Sequence, residues 1–238
     1  MLSGPRAHWS RWPWADALQR GQRPLHVVLV VLTFVTGLVD AVTYLAYGHV
    51  FAANMTGNVI VLGFALGGAG DISATASVVS LAAFIVGAAS SARLGRVLQP
   101  TRQRWLLTML GTETALLALA AAVSLQRRAV LSDLLVVGLL AVAMGMRIVT
   151  VRRLGVSDVS TTVLTSTLAG LAADALLSGA PLRTAGVRLL IVAAMLLGAA
   201  AGAVLLAGGP ARVLGIAAGL LLVVTLSHAV AALRRAAP

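Results

Sequence analysis

Asp40 and Glu113 stand inside long apolar runs, where an ionisable side chain is costly unless it faces a bundle interior, a cavity or a partner. The chemistry open to a carboxylate there is the binding of a proton or a cation. Thr33, Thr36, Asp40, Tyr44 and Tyr47 recur at steps of three or four residues and so share one face of a helix. Shortly after them, Asn54, Thr56 and Asn58 offer amide and hydroxyl groups that can meet uncharged solutes or dehydrating ions. Gly57 sits among these, and glycine with short polar side chains is poor helix material. Irregular backbone at membrane depth survives only where protein or water satisfies it.

Thr161, Thr162, Thr165, Ser166 and Thr167 form a similar polar group later in the chain. Two readings stand side by side for both groups. The polar residues line a cavity for a solute, or they form a hydrogen-bonded seam between helices, with threonines bonding back to their own preceding turn. Asp40 has a second reading as well, a buried ion pair with Arg147. The alternative for Arg147 is to snorkel towards Arg152 and Arg153.

The remaining polar residues carry less. Glu113 lies deep enough in its run to need a partner, whereas Asp174 is near an end and reaches the interface. His228 reads as a lone core imidazole. His8, His26 and His49 have no metal-ligand spacing, and Asp158 beside Arg152 and Arg153 reads as a surface cluster or helix cap. No G-x-S-x-G, H-E-x-x-H, P-loop or dinucleotide fingerprint occurs. No catalytic residue, cofactor or metal is therefore expected, and the chain is not read as an enzyme.

The elements that position these residues follow from composition. The 238 residues are 59% hydrophobic and 11% charged, with a mean hydropathy of +0.97, against about 25% charged in a soluble domain. Runs of about 20 apolar residues predict an all-α polytopic membrane protein. They fall at 25–47, 52–69, 74–98, 105–125, 130–151, 160–178, 186–207 and 211–233. Residues 1–24, with Trp9, Trp12 and Trp14 among arginines, read as a cytoplasmic tail, residues 25–233 as one membrane domain, and 234–238 as a second tail. No cysteine is present, so disulfides and thiolate sites are excluded.

An internal repeat divides the domain into 25–125 and 130–233. Met55-Thr56-Gly57-Asn58 aligns with Leu164-Thr165-Ser166-Thr167, and with a one-residue gap Gly37 meets Gly145. This alignment motivates the Asp40–Arg147 pair, since it brings the two within one position of each other. Charge then orients the repeats. The net charge of +11 comes from arginines placed singly or in pairs between apolar runs, as topology signals are and nucleic-acid patches are not. With eight crossings, 10 arginines fall inside and 7 outside. If 52–69 and 160–178 do not cross, 14 fall inside against Arg127, Arg128 and Arg212 outside. The preferred architecture is therefore six spans plus two non-crossing motif segments in an inverted repeat, with eight full spans in a 4+4 arrangement as the alternative.

GLVDAVTYLAYGHVFAANMTGNVIVLG, residues 37–63, and MRIVTVRRLGVSDVSTTVLTSTLAGLAAD, residues 146–174, resemble the YoaK family of bacterial membrane proteins, grouped as DUF1275. The resemblance extends over about residues 25–230. This chain carries Arg147-Ile148 where the family usually has Gln-Asn. The resemblance implies a multi-pass inner-membrane protein with a permease-like role and brings no substrate with it. The expected function is that of a small-solute permease or channel. The rival is a non-transporting membrane protein whose polar motifs serve helix packing. Lipid is the obligatory partner, a small solute or ion the candidate ligand, and self-association remains compatible with the small-residue stripes.

Overall fold

The computed structural model describes residues 23–69, 72–98, 101–126, 130–153 and 182–236. The helices are α1 (Arg23–Ala46), α2 (Met55–Leu66), α3 (Ala74–Leu98), α4 (Arg102–Leu125), α5 (Val130–Arg153), α6 (Leu182–Leu205) and α7 (Pro210–Ala236), with a 3-10 turn at Leu206–Gly208. All but α2 are long and apolar enough to cross a membrane. The protein is an all-α, multi-pass membrane protein with six spans among the described residues. α2, with 12 residues, extends about 18 Å at ~1.5 Å per residue, well short of a ~30 Å hydrocarbon core.

Interior and lipid-facing positions separate along each span. Val35, Leu38, Val39 and Val42 of α1 pack with Val136, Val137 and Leu140 of α5 in the core, all essentially inaccessible. Ile85, Val86, Leu196, Leu197 and Val223 stay exposed, as apolar groups do when lipid replaces water as solvent.

Helix contacts come in matched pairs. α1 packs on α6 as α5 packs on α3, α4 packs on α7, and α4 meets α5 as α7 meets α1. The tightest crossings repeat down to the residue. A Cβ on Gly37 would strike the backbone of Met195 and Ala199, and one on Gly145 would strike Phe84 and Ala88. Likewise Gly198 lies against the Phe34 carbonyl and Gly87 against that of Val142. In each case the facing glycine is flanked by the struck residues three before and one after it. Only glycine permits such backbone approach. Gly95 and Gly202 are also packed against neighbours, whereas Gly63, Gly215 and Gly219 face open space.

These crossings fix directions. Gly198 sits by Phe34 and Gly202 by Leu38 and Ala41, so α1 and α6 run parallel. Gly138 sits by Val79 and Gly87 by Val142, so α3 and α5 also run parallel. α3 begins where α1 ends, because Gly48 O accepts from Ser73 N at 3.4 Å. It follows that α5 ends and α6 begins on one side of the bundle, the side where α1 starts. Arg93, Arg96, Arg102, Arg104, Arg152 and Arg153 cluster at helix ends on that side, and Arg212 lies at the other. The segment expected at 160–178 lies outside the described residues, as do Thr161, Thr165, Thr167 and the tail before residue 23.

Candidate functional site

The site is built on the hairpin between α1 and α3. Gly48 (φ 88°) and His49 (φ 58°) both take left-handed backbone, which turns the chain sharply after α1. Val50 to Asn54 then run back beside α1 without helical structure. Asp40 is the reason this segment holds. Its Oδ1 accepts from Ala52 N at 2.9 Å and Ala53 N at 2.8 Å, so a side chain two turns before the end of α1 supplies the acceptor that a helix or sheet would otherwise provide.

Asn58 fastens the same segment from the other side. Its Oδ1 accepts from Phe51 N at 2.8 Å and its Nδ2 donates to Phe51 O at 2.7 Å, pairing with one residue as a neighbouring strand would. Nδ2 also reaches Ser80 Oγ on α3 at 3.0 Å, and that hydroxyl donates to Phe51 O at 2.7 Å. Asn54 caps α2, accepting from Gly57 N at 3.1 Å. Gly57 is small because the Phe51 ring lies over it, and Phe51 in turn stacks on Tyr44 with centroids 4.8 Å apart. The irregular segment thus sits at the depth of Asp40 and Ser80, about 9 Å inside the helix end at ~1.5 Å per residue. α2 carries the chain back out to the level it left.

A second polar group lies deeper. Arg147 pairs with Glu113 of α4, donates to Leu32 O at 2.6 Å, and contacts Thr36 Oγ1 at 2.5 Å. The expected Asp40–Arg147 pair is therefore corrected. α4 packs directly against α5 and offers Glu113 to the guanidinium, while Asp40 is engaged by the hairpin amides. The two carboxylates nevertheless both lie in the field of Arg147. Arg147 does not snorkel to Arg152 and Arg153, since its bonds point toward the middle of α1. A crevice with room for about one water opens beside the pair, lined by Val28, Leu106, Met109 and Thr150.

Other expected residues scatter. Thr33 and Thr36 bond back to Leu29 O and Leu32 O at 2.8 and 2.9 Å. Tyr47 is buried with its hydroxyl 2.8 Å from Ser124 Oγ of α4. Asn54 is half-buried and Asn58 fully buried, but Thr56 is exposed. The expectation of an inward Thr56 is corrected, because two helical residues separated by one cannot both face inward. His228 contacts Val224 O at 3.0 Å in its own helix. Ser80 is the site residue that the sequence did not mark. Its only signal is a hydroxyl seven residues after Ser73.

A family model described as a protein of unknown function, DUF1275, matches residues 28–227. The chain belongs to the DUF1275 family. Among its relatives, the UPF0700 transmembrane protein YoaK of Bacillus subtilis strain 168 is 33% identical over 150 residues, covering 63% of this chain. The match spans 66% of that relative's length, just under two thirds. No solved structure matches the chain. The DUF1275 match takes in the whole hairpin and both partners of the deep ion pair.

Proposed function

We propose that this protein is a small-solute permease or channel of the bacterial inner membrane, with its N-terminus in the cytoplasm. The observation that carries this reading is the hairpin of residues 47–66, whose irregular backbone is held inside the membrane by buried side chains. Such backbone is tolerated at that depth where it is buried in protein or lines a path. Paired, oppositely directed halves with discontinuous segments near the midplane are a common transporter architecture. The arginine-rich helix ends support a cytoplasmic assignment for the side where α1 begins.

Flux of a broad panel of metabolites and ions into proteoliposomes tests the proposal, with Asp40→Asn as control. Permeation of a solute class above that of protein-free vesicles, reduced by the substitution, is the expected result. No flux above background for any member would overturn it. One observation favours the rival reading, a non-transporting protein whose motif is a packing device. The amides of Asn54 and Asn58 are taken up by the chain itself, leaving Asp40 Oδ2 as the motif's buried atom with no donor.

A further inference from the structure

Among the described residues, the charged side chains buried in the bundle are Asp40, Glu113 and Arg147, all less than 10% exposed. Two carboxylates answer one guanidinium. With all three ionised, the cluster holds one uncompensated negative charge at membrane depth, a state that proteins avoid by binding a proton or another cation. The geometry says where the imbalance sits. Glu113 is paired with Arg147, while Asp40 has one oxygen satisfied by two amides and the other, Oδ2, with no partner. Arg147 has a spare donor too, because its Nε is buried without an acceptor. Its Nη1 contacts Thr36, one helical turn from Asp40.

A hard metal cation needs about six oxygen ligands, and no group of metal-ligating side chains is present among the described residues. A proton needs one oxygen. The other titratable groups on the surrounding elements are engaged or remote. Tyr47 meets Ser124, Tyr44 packs on Phe51 and His49, and His228 of α7 contacts Val224 O. Asp133 stands at the start of α5, Arg152 and Arg153 at its end, Arg93 and Arg96 near the end of α3, and Arg102 and Arg104 at the start of α4.

We infer that Asp40, Glu113 and Arg147 together hold one proton and hand it across the middle of the membrane, with Arg147 exchanging one carboxylate for the other. In the arrangement seen, Asp40 carries the proton on Oδ2 and Arg147 neutralises Glu113. When Asp40 releases its proton on the hairpin side, Arg147 turns to Asp40. Glu113, left without its counter-ion, takes up one proton through the crevice at Val28, Leu106 and Thr150. One proton leaves on one side, one enters from the other and passes from Glu113 to Asp40 as Arg147 swings back, and the cluster is neutral before and after each exchange. Only the consequence for transport, that H+ is the coupling ion, rests on the permease reading.

Infrared spectroscopy of the protein in lipid tests this without any transport, by the carbonyl stretch of a protonated carboxylic acid. Glu113 is the chain's one glutamate, so isotopic labelling of glutamate or aspartate carboxyls separates the two acids. The expected spectrum at neutral pH shows one protonated aspartate and an ionised Glu113. Asp40→Asn removes that band. Glu113→Gln removes it as well, because Arg147 is then free to ionise Asp40. Loss of an aspartate band on substituting a glutamate shows that the two acids share one proton through Arg147, so this variant decides even where Asp40→Asn fails to fold. No protonated aspartate in the wild-type protein overturns the inference, whatever the variants do, and so does a band that persists in Glu113→Gln. Proteoliposome flux remains a separate measurement. Solute flux with no such band removes the proton and leaves the permease, whereas the band with no flux removes the permease and leaves the proton.

Discussion

At the hairpin, Asp40 and Asn58 direct polar atoms to main-chain groups of residues 51–53, whereas in the middle of the bundle Arg147 meets another charge, with Leu32 O and Thr36 Oγ1 beside it. Both groups are buried, and both belong to helices that the apolar core already holds together. What differs is what each arrangement protects. The hairpin side chains stand in for missing secondary structure, so removing one strands backbone donors or acceptors that no second substitution can remove. The ion pair chiefly answers its own two charges, so taking away both partners leaves neither charge unpaired. Loss and rescue therefore separate the two regions where burial does not.

The largest expected effect is at the ion pair. Arg147→Gln strands Glu113 and is expected to cost about 3–5 kcal/mol, the scale for breaking a buried pair by removing one partner. The double variant with Glu113→Gln is expected to recover most of that loss. Thermal unfolding in detergent reads both, and losses that add in the double variant would dissolve the contrast with the hairpin.

Next comes Asn58→Ala, which strands Phe51 N at roughly 1–3 kcal/mol for a group left unpaired and also removes the bonds to Phe51 O and Ser80 Oγ. Thr56→Val, two residues away and exposed, should fall within about 0.5 kcal/mol of wild type. Comparable losses at both positions would mean that the hairpin is not fastened by Asn58.

A smaller effect, common to both halves, is expected at the crossings. Gly37→Ala and Gly145→Ala each force two backbones apart and should cost about 1–3 kcal/mol. Gly215→Ala, which faces open space, should not. Unequal losses at Gly37 and Gly145 would show that the two halves do not bear load alike.

The six spans were legible because each is a run of about 20 apolar residues with arginines at one or both ends, and length plus charge is what a bilayer selects. The matched crossings were legible only as an alignment of Gly37 with Gly145. Their closeness is a property of two backbones that no single stretch carries. Thr56 was misplaced for want of a simple test. At ~100° per residue, Asn58 and Thr56 point about 200° apart on a helix. The start of α2 at Met55 instead of residue 52 traces to Asp40, which takes the amides of Ala52 and Ala53 before a helix can form. The partner of Arg147 was beyond reach. Glu113 was marked as needing one, but the choice between it and Asp40 depends on how α4 packs against α5, which follows from neither segment alone.

After α1 the chain leaves the bundle, dips back in, and returns to the side it left. The cysteine-free sequence allows a direct test with His49→Cys and Ala69→Cys, both at exposed positions, made one at a time and probed on intact cells with a membrane-impermeant thiol reagent. Both cysteines are expected to label from outside, before permeabilisation. Labelling of position 49 from outside and of position 69 only after the cells are opened would show that residues 50–68 cross the membrane, and would contradict the hairpin.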